Sequence, residues 1–310
     1  MHPGIRRLAV SGIEAVMDRL PWGGREAMLA ACIRRFGAHE VAGRVLPLMN
    51  VSEIGVMGHL GVIRSAWNDR AVLRIYAERT AGGSEGSEEA IVSAVLGFFG
   101  AEAGTYVDVG ANIGITTIPI ARLPAVRCIA FEPEPGNFRF LQMNVAANAP
   151  GAAVEFHQQA VSDRVAMLEL SLADGNLGDH RLTVGGHCGR HTIAVSAVPL
   201  DSVLGRVAGR LAVKVDTQGA EAFVVAGGRE MLARAGLLAM EFCPYLMRQI
   251  GGDPAVVIDA VGAFSRVAVF DPDSTEAVVF VAPAEAQRKL EAKAAGTGAD
   301  SEYYDIIALR

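Results

Sequence analysis

The segment from Tyr106 to Gly114 constrains the fold more than any other part of this 310-residue chain. A short apolar run ends at Asp108, a Gly-x-Asn-x-Gly turn follows, and a helical pattern of apolar residues begins at once. A second apolar run ends in Glu132. Glycines let a ligand approach the main chain, a helix start offers unpaired N–H groups, and an acid after the next strand can bind two ribose hydroxyls. The segment therefore predicts a pocket for a cofactor that carries adenosine.

The turn differs from the phosphate-binding turn of dinucleotide folds, which has the pattern Gly-x-Gly-x-x-Gly. Its third position is Asn112, and its last glycine, Gly114, follows two residues later instead of three. Asp108 at the strand end would repel a pyrophosphate but attract an ammonium group. S-adenosylmethionine carries an ammonium, a sulfonium and a ribose but no phosphate, so the segment favours this cofactor over NAD. A plain strand–helix turn without a ligand is the alternative, although it explains the glycines and not both acids.

Composition excludes several classes of protein. Hydrophobic residues make up 51% of the chain and the mean hydropathy is +0.30, yet polar residues and glycines interrupt every apolar stretch before it could span a membrane. A net charge of -6 argues against a general nucleic-acid binder, which needs a basic face. The four cysteines form no Cys-x-x-Cys pair, so neither a disulfide framework nor a zinc site is indicated. The first residues lack the features of a secretory signal, and a cytoplasmic location is the default expectation.

The order of patterns predicts a helical extension over residues 1–55 and a catalytic domain over 56–310. The domain would contain a β-hairpin at 62–77, in which 62–67 pairs with 71–76, and a core over 88–310. From residue 104 onward strands and helices alternate, which predicts an α/β, doubly wound and mostly parallel sheet. The expected strands are 105–109, 127–131, 153–157, 194–198, 211–216, 237–242, 266–270 and either 277–281 or 303–309. The expected helices are 88–99, 113–122, 136–147, 219–226, 229–234 and 254–263, with a charged helix or loop at 286–295.

Ligands of a doubly wound sheet bind beyond the carboxyl ends of its strands. Lys214 and Asp216 share a face of one strand there, because side chains alternate along a strand. A buried lysine needs charged partners, and we expect Asp216 and Glu241 to provide them; an ion-pair network that only positions the strand ends is the alternative. The candidate binding residues are Asp108, Gly110, Ala111, Asn112, Gly114 and Glu132, with Ala160, Val161 and Asp163 after the third strand.

Histidines occur in two polar loops. His180 lies in the segment 174–182, where it is a candidate base if the loop approaches the strand ends, although a solvated loop histidine is the commoner case. His187 and His191 flank Cys188 with a spacing that resembles metal ligation, but no third ligand is nearby, which favours a surface loop. No metal constellation stands out, although Asp216 and Glu241 together could hold an ion.

Further segments share an order and spacing with the glycine turn. They are Phe131-Glu132-Pro133-x-Pro135, Leu141-x-x-Asn144-Val145, Asn176-Leu177-Gly178-Asp179-His180-Arg181, Pro199-Leu200-Asp201-Ser202, Val213-Lys214-Val215-Asp216-Thr217-Gln218-Gly219-Ala220-Glu221 and Glu241-Phe242-Cys243-Pro244. Over about residues 60–310 this pattern resembles the FkbM-type methyltransferases, and the Lys-x-Asp-x-Gln-Gly-x-Glu segment is its most specific element. Thr217 departs from the resemblance, since the family more often has an apolar residue there.

The resemblance implies a class I methyltransferase fold: a Rossmann-like, seven-stranded sheet with one antiparallel strand near its edge. It also implies S-adenosylmethionine-dependent O-methylation of a hydroxyl on a sugar, glycan or other secondary metabolite. Gly110, Ala111 and Gly114 would shape the turn, with Asp108 near the amino-acid end of the cofactor, Glu132 at the ribose, and Ala160 and Val161 beside the adenine. Asp216 is the first candidate base and His180 the second, with Lys214 and Glu241 beside them. A nicotinamide-dependent oxidoreductase and a non-catalytic cofactor-binding or scaffold protein are the alternatives.

Overall fold

The computed structural model describes residues 31, 53–58, 61–66, 87–173, 176–183, 190–272, 277–296 and 303–310. The chain divides into two compact units, residues 1–84 with 174–178 and residues 85–173 with 179–310. Thirteen strands occur among the described residues. In chain order they are β1 Glu53–Gly58, β2 Gly61–Ala66, β3 Gly104–Val109, β4 Val126–Phe131, β5 Val154–His157, β6 Ala160–Ser162, β7 Ala166–Ser171, β8 Arg181–Thr183, β9 Thr192–Pro199, β10 Arg210–Val215, β11 Leu237–Phe242, β12 Arg266–Phe270 and β13 Tyr304–Leu309.

The described helices all belong to the second unit, apart from residue 31. Four of them begin with a proline, and in two of these the preceding acid also accepts a hydrogen bond from the first turn, as expected of helix starts. They are α1 Ser87–Phe99, α2 Thr117–Ala121, α3 Pro135–Asn148, α4 Glu221–Ala226, α5 Arg229–Arg234, α6 Pro244–Gln249, α7 Pro254–Val261 and α8 Pro283–Ala295, with a 3₁₀ helix at Leu200–Arg206.

In the first unit, β1 and β2 form an antiparallel hairpin in which Glu53 lies opposite Ala66. A strand at the predicted position 62–67 is therefore confirmed, but the structure pairs it with 53–58. Its predicted partner, 71–76, lies outside the described residues, as does most of the predicted helical extension. The boundary at residue 56 stays a prediction.

The second unit contains a central seven-stranded sheet in the order β12-β13-β11-β10-β3-β4-β5. All of its pairings are parallel except those of β13, which runs antiparallel to both β11 and β12. The predicted α/β fold, mostly parallel with one antiparallel strand near its edge, is confirmed. The open choice at the C-terminus resolves in favour of 303–309, because residues 277–281 contribute only a single bridge between Val281 and Val267.

The strand predicted at 194–198 is present as β9, but its expected place in the central sheet is wrong. β9 belongs to a second sheet with the order β6-β9-β7-β8. Its side chains are only partly buried along most of its length, as in a sheet with one face in solvent, whereas every residue of β3 is buried. Alternating apolar residues predict a strand in either setting, so the pattern did not assign the sheet.

The central sheet has an apolar core on each face. Val107 and Val109 of β3 pack into the cluster that includes α4, α5, α7 and α8, whereas Tyr106 packs into the cluster with α1 and α2. Asp108 alternates with these valines and so points to the same side as Tyr106. The predicted helix 113–122 begins only at Thr117, because residues 110–116 form an extended turn.

We predict that Gly227→Ala destabilises the protein. A Cβ at this position would lie 2.1 Å from the carbonyl oxygen of Ser162, so α4 and β6 would have to move apart. The free energy of unfolding should fall by about 1–3 kcal/mol, measured by urea denaturation. Gly205→Ala is the matched control, because nothing lies within 4 Å of the new methyl group; equal losses in both variants would contradict the packing.

Candidate functional site

The glycine turn after β3 is held against both neighbouring strands. The backbone N–H groups of Gly110 and Ala111 both donate to the carbonyl oxygen of Phe131, at 3.0 and 2.9 Å. Gly110 has a φ of 78°, and a Cβ there would lie 1.8 Å from the carbonyl oxygen of Asp216. No other residue type fits this position, because the torsion and the close approach both exclude a side chain.

Glu132 and Asn112 connect the turn to the end of β4. Asn112 adopts a left-handed φ of 51°, which asparagine tolerates better than most residues. In this conformation its backbone N–H donates to Oε2 of Glu132 at 2.9 Å, and the N–H of Glu134 donates to Oε1 at 2.9 Å. Burial raises the pKa of Glu132 to about 7, although these two hydrogen bonds partly oppose the rise. A buried carboxylate that accepts hydrogen bonds only from backbone amides can accept further hydrogen bonds from a ligand.

Asp108 is fully buried at the end of β3. Its Oδ2 accepts hydrogen bonds from the hydroxyls of Thr116 and Thr117, at 2.8 and 2.6 Å. Its Oδ1 lies 3.4 Å from Nζ of Lys214. The start of α2 is therefore attached to the strand end through the carboxylate of Asp108.

Lys214 lies directly opposite Asp108 in the register of β10 and β3. Its ammonium donates to the carbonyl oxygen of Gly110 at 2.8 Å and lies 3.5 Å from Oδ2 of Asp216. Burial by itself lowers the pKa of Lys214, but the carboxylates of Asp108 and Asp216 outweigh it and hold the pKa above its ordinary value. The expected partner Asp216 is confirmed, whereas the expected contact with Glu241 is replaced by one with Asp108.

Asp216, Gln218 and Glu241 form the outer part of the site, at the ends of β10 and β11. The amide nitrogen of Gln218 lies 3.0 Å from Oδ1 of Asp216 and 3.2 and 3.3 Å from the two carboxylate oxygens of Glu241. The side chain of Asp216 is 40% exposed, so a ligand can reach it. Burial raises the pKa of Glu241 well above its ordinary value, and the charges of Asp216, Glu221 and Asp305 raise it further. Glu241 therefore retains a proton more readily than an exposed glutamate.

Glu221 fixes the turn that carries Gln218. Its carboxylate accepts hydrogen bonds from the backbone N–H groups of Thr217 and Gly219 and from the hydroxyl of Thr217, at 2.8 to 3.1 Å. Burial raises the pKa of Glu221, and the hydrogen bonds from Gly219 and Thr217 oppose that rise. Thr217, the departure from the family pattern, thus adds one hydrogen bond at this point.

The other predicted residues lie around this network. Gly114 closes the turn with a φ of 96°. Ala160 and Val161 are buried in β6, Ala160 in the apolar cluster of the second sheet and Val161 in the main core. Asp163 beyond them pairs with Arg164. Nδ1 of His180 accepts a hydrogen bond from the N–H of Ala173 at 3.0 Å.

Arg181, which follows His180, carries a charge that acts on a residue beyond β11. The charge of the neighbouring Arg181 acts on the thiol of Cys243, which follows β11, and lowers its pKa, although burial, the larger effect, raises that pKa to about 11. Arg181 itself is held by Asp179, whose other oxygen accepts from Arg190 at 3.0 Å. His180 therefore lies between two charged residues, Asp179 and Arg181, that pair with each other.

Sequence reasoning assigned no role to Gln218, Thr116 or Thr117. Gln218 stands in the most specific motif of the chain, so its position was visible but its bridging contact was not. The predicted helix, which begins at residue 113, would have contained both threonines and gave no reason to expect them beside Asp108. Their contact with Asp108 depends on the longer turn that the structure shows.

Among the described residues, no group of three or more His, Cys, Asp or Glu side chains is arranged to hold a metal ion. No helix in the same residues combines the length and the apolar character that a membrane crossing requires.

A family model described as the methyltransferase FkbM domain matches residues 108–251. The match contains the glycine turn, Glu132, Lys214, Asp216, Gln218 and Glu241. It confirms the resemblance drawn from the motifs, identifies this part of the chain as a methyltransferase domain, and supports S-adenosylmethionine as the cofactor. A comparison with curated protein sequences gives no match.

Solved structures with a similar arrangement include methyltransferases of several kinds. Magnesium protoporphyrin IX methyltransferase from Synechocystis PCC 6803 shares 14% identity over 78% of this chain and 83% of its own, with a TM-score of 0.39. An S-adenosylmethionine-dependent O-methyltransferase from Thermotoga maritima shares 10% identity over 83% of this chain and 84% of its own, with a TM-score of 0.35. Identities and TM-scores this low do not indicate a shared acceptor.

We predict that Lys214→Met destabilises the protein strongly, because it leaves the buried carboxylate of Asp108 without its cation. The free energy of unfolding at pH 7 should fall by about 3–5 kcal/mol, measured by chemical denaturation. Lys289→Met is the matched control: this lysine donates to the carbonyl of Val269 at 2.7 Å, and its loss should cost about 1 kcal/mol. A Lys214 variant no less stable than the control would rule out the buried ion-pair network.

Proposed function

We propose that this protein is an S-adenosylmethionine-dependent methyltransferase that methylates a hydroxyl oxygen of a sugar, glycan or other secondary metabolite. One observation carries the proposal. The ammonium of Lys214 contacts both the carbonyl of Gly110 in the candidate cofactor turn and the carboxylate of Asp216. The turn proposed to bind the methyl donor and an accessible candidate base therefore contact the same side chain.

The residues of the turn fit the cofactor. Glu132 is an acid buried without an ion-pair partner among its described contacts, which suits it to accept hydrogen bonds from the two ribose hydroxyls. The side-chain oxygen of Asn112 is buried and accepts no hydrogen bond from the described residues, so it is an acceptor for a ligand donor. Gly110 and Gly114 keep the turn free of side chains. Asp108, expected near the amino-acid end of the cofactor, already pairs with Lys214 and accepts from two threonine hydroxyls, so it would act there by holding the turn in place.

The acceptor half of the reaction needs a proton acceptor, because an alcohol is a poor nucleophile. When bound, S-adenosylmethionine supplies a methyl group on a sulfonium sulfur, and transfer to oxygen leaves the neutral thioether S-adenosylhomocysteine. Asp216 accepts the hydroxyl proton and returns it to solvent through its exposed carboxylate. The ammonium of Lys214, 3.5 Å from Oδ2 of Asp216, holds this carboxylate beside the turn. His180, between Asp179 and Arg181, is the second candidate base.

We predict that Glu132→Gln weakens S-adenosylmethionine binding tenfold or more, because hydrogen bonds to a charged acceptor contribute about 1.5–3 kcal/mol each. Isothermal titration calorimetry measures the change. Glu134→Gln is the control: it removes the same charge two residues away and leaves an oxygen to accept from the N–H of Asn137. If the Glu132 variant retains wild-type affinity, Glu132 does not bind the ribose.

The pH dependence of binding provides a second test of the same residue. The pKa of Glu132 is raised to about 7, and ribose hydroxyls donate to the ionised carboxylate, so affinity should fall about tenfold per pH unit below pH 7. Folding raises this pKa, so Glu132 stabilises the ligand-free protein at low pH and that contribution is lost as the pH rises through about 7. Calorimetry between pH 6 and 8 should show the slope for the wild type and not for Glu132→Gln.

We predict that Asp216→Asn lowers the methylation rate by about 10²-fold or more, because a positioned base contributes about 10²–10⁴-fold. Purified protein is incubated with a metabolite extract and S-adenosylmethionine carrying a carbon-13 methyl group. Mass spectrometry then finds the labelled product, and the carbon-13 shift of its methyl group distinguishes oxygen from nitrogen or carbon as the acceptor atom.

The same experiment separates the alternatives. Full turnover by Asp216→Asn with normal cofactor affinity would exclude Asp216 as the base and leave His180 for the next substitution. A label on nitrogen or carbon would refute O-methylation but not methyl transfer. NADH binding in the absence of S-adenosylmethionine binding would favour the oxidoreductase instead.

A further inference from the structure

The amide of Gln218 lies between the two acids of the outer site. An amide nitrogen carries two hydrogens: one is directed at Oδ1 of Asp216, at 3.0 Å, and the other is shared by the two oxygens of Glu241, at 3.2 and 3.3 Å. The amide nitrogen is the atom that faces both groups, and it can donate to each of them. Gln218 therefore holds both acids at once.

The backbone of Gln218 is unusual for this residue type. Its φ is 54°, in the left-handed region that glutamine rarely adopts. Glu221 imposes the conformation, because its carboxylate binds the N–H groups of Thr217 and Gly219 on either side of Gln218. Backbone outliers that the surrounding structure enforces are concentrated at functional sites. Here the enforced turn coincides with the bridge between Asp216 and Glu241.

Charge around the amide is predominantly negative. Two acids contact the amide, Asp216 after β10 and Glu241 in β11, and Asp305 in β13 lies opposite Glu241 in the sheet register. Other charged or titratable groups on packed elements are Glu221 at the start of α4, Lys214 and Asp108 on β10 and β3, and Cys243 with Arg181 near the end of β11. Lys214 contacts Asp216, whereas the hydrogen bond from Gln218 is what opposes the rise of the pKa of Glu241.

We propose that Gln218 is a positioning residue for methyl transfer. Its amide orients the carboxylate of Asp216 toward the acceptor and holds the carboxyl group of Glu241 apart from that carboxylate. The inference rests on the proposed function and adds a residue to it. With Oδ1 bound by the amide and Oδ2 beside Lys214, the carboxylate of Asp216 has one orientation. Without the amide the two acids would either repel each other or share a proton, and Asp216 would then no longer accept the hydroxyl proton of the substrate.

The first test needs no turnover. Side-chain carboxyl carbons are labelled with carbon-13 in the wild type, in Gln218→Met and in Gln142→Met, a control on the exposed face of α3; Glu241→Gln assigns the signal of Glu241. Removing a hydrogen bond to the ionised form raises a pKa, so the titration midpoint of Glu241 should rise by about one pH unit in Gln218→Met. The control should titrate like the wild type.

The second test uses the pH profile of methylation. In Gln218→Met the acidic limb of the pH profile of kcat should move to higher pH by about one unit. The affinity for S-adenosylmethionine should stay within about threefold of the wild-type value. Gln218→Asn distinguishes the loss of the amide contact from relief of backbone strain. Asparagine suits the left-handed φ, but its side chain is one methylene shorter. This variant should melt no lower than the wild type and show the same displaced profile, and it keeps the proposal testable if Gln218→Met folds poorly.

The outcomes distinguish the two proposals. Labelled product from the wild type, together with an unchanged titration of Glu241 and parallel pH profiles in the variants, would overturn the role of Gln218 and leave the proposed function intact. Absence of any methyl transfer by the wild type would overturn the proposed function and the positioning role with it.

Discussion

The buried ammonium of Lys214 is the interaction on which the candidate site depends. It lies opposite Asp108 in the register of two central strands and also contacts the carbonyl of Gly110 and the carboxylate of Asp216. A buried charge must be compensated by nearby groups. The glycine turn, the end of β3 and the end of β10 are therefore held in one arrangement, because any movement of one would leave this charge or its partners uncompensated.

The acids of the site differ in how their charge is compensated. Asp108 has a cation and two hydroxyls, whereas Glu132 has two backbone amides and Glu241 the amide of Gln218. Burial consequently raises the pKa values of Glu132 and Glu241. Acids that are buried with few partners destabilise the ligand-free protein when ionised, and a ligand that supplies donors relieves this cost. The arrangement fits a protein whose site is completed by its ligands.

Much of the fold and part of the site were predictable from the sequence. Continuous apolar runs identified the buried strands of the central sheet. The ends of those runs gave the positions of the polar side chains at the edge of the sheet: Asp108, Glu132, Lys214, Asp216 and Glu241. The second sheet was not predictable, because the half-buried pattern of β9 is compatible with either sheet. The contact between Lys214 and Asp108 also escaped prediction, since it depends on the order and register of β10 and β3, which local pattern does not contain.

The sequence by itself determined the strand–turn–helix unit, because glycine accepts the positive φ at residue 110, and it determined which acids follow which strands. Only the tertiary structure decided which of those groups meet. It paired Lys214 with Asp108, lengthened the turn so that Thr116 and Thr117 reach the same carboxylate, and placed Gln218 between Asp216 and Glu241. The contacts of Lys214 with Asp108 and of Gln218 with Glu241 join residues 106 and 23 positions apart, and such separations close only when the strands pack side by side.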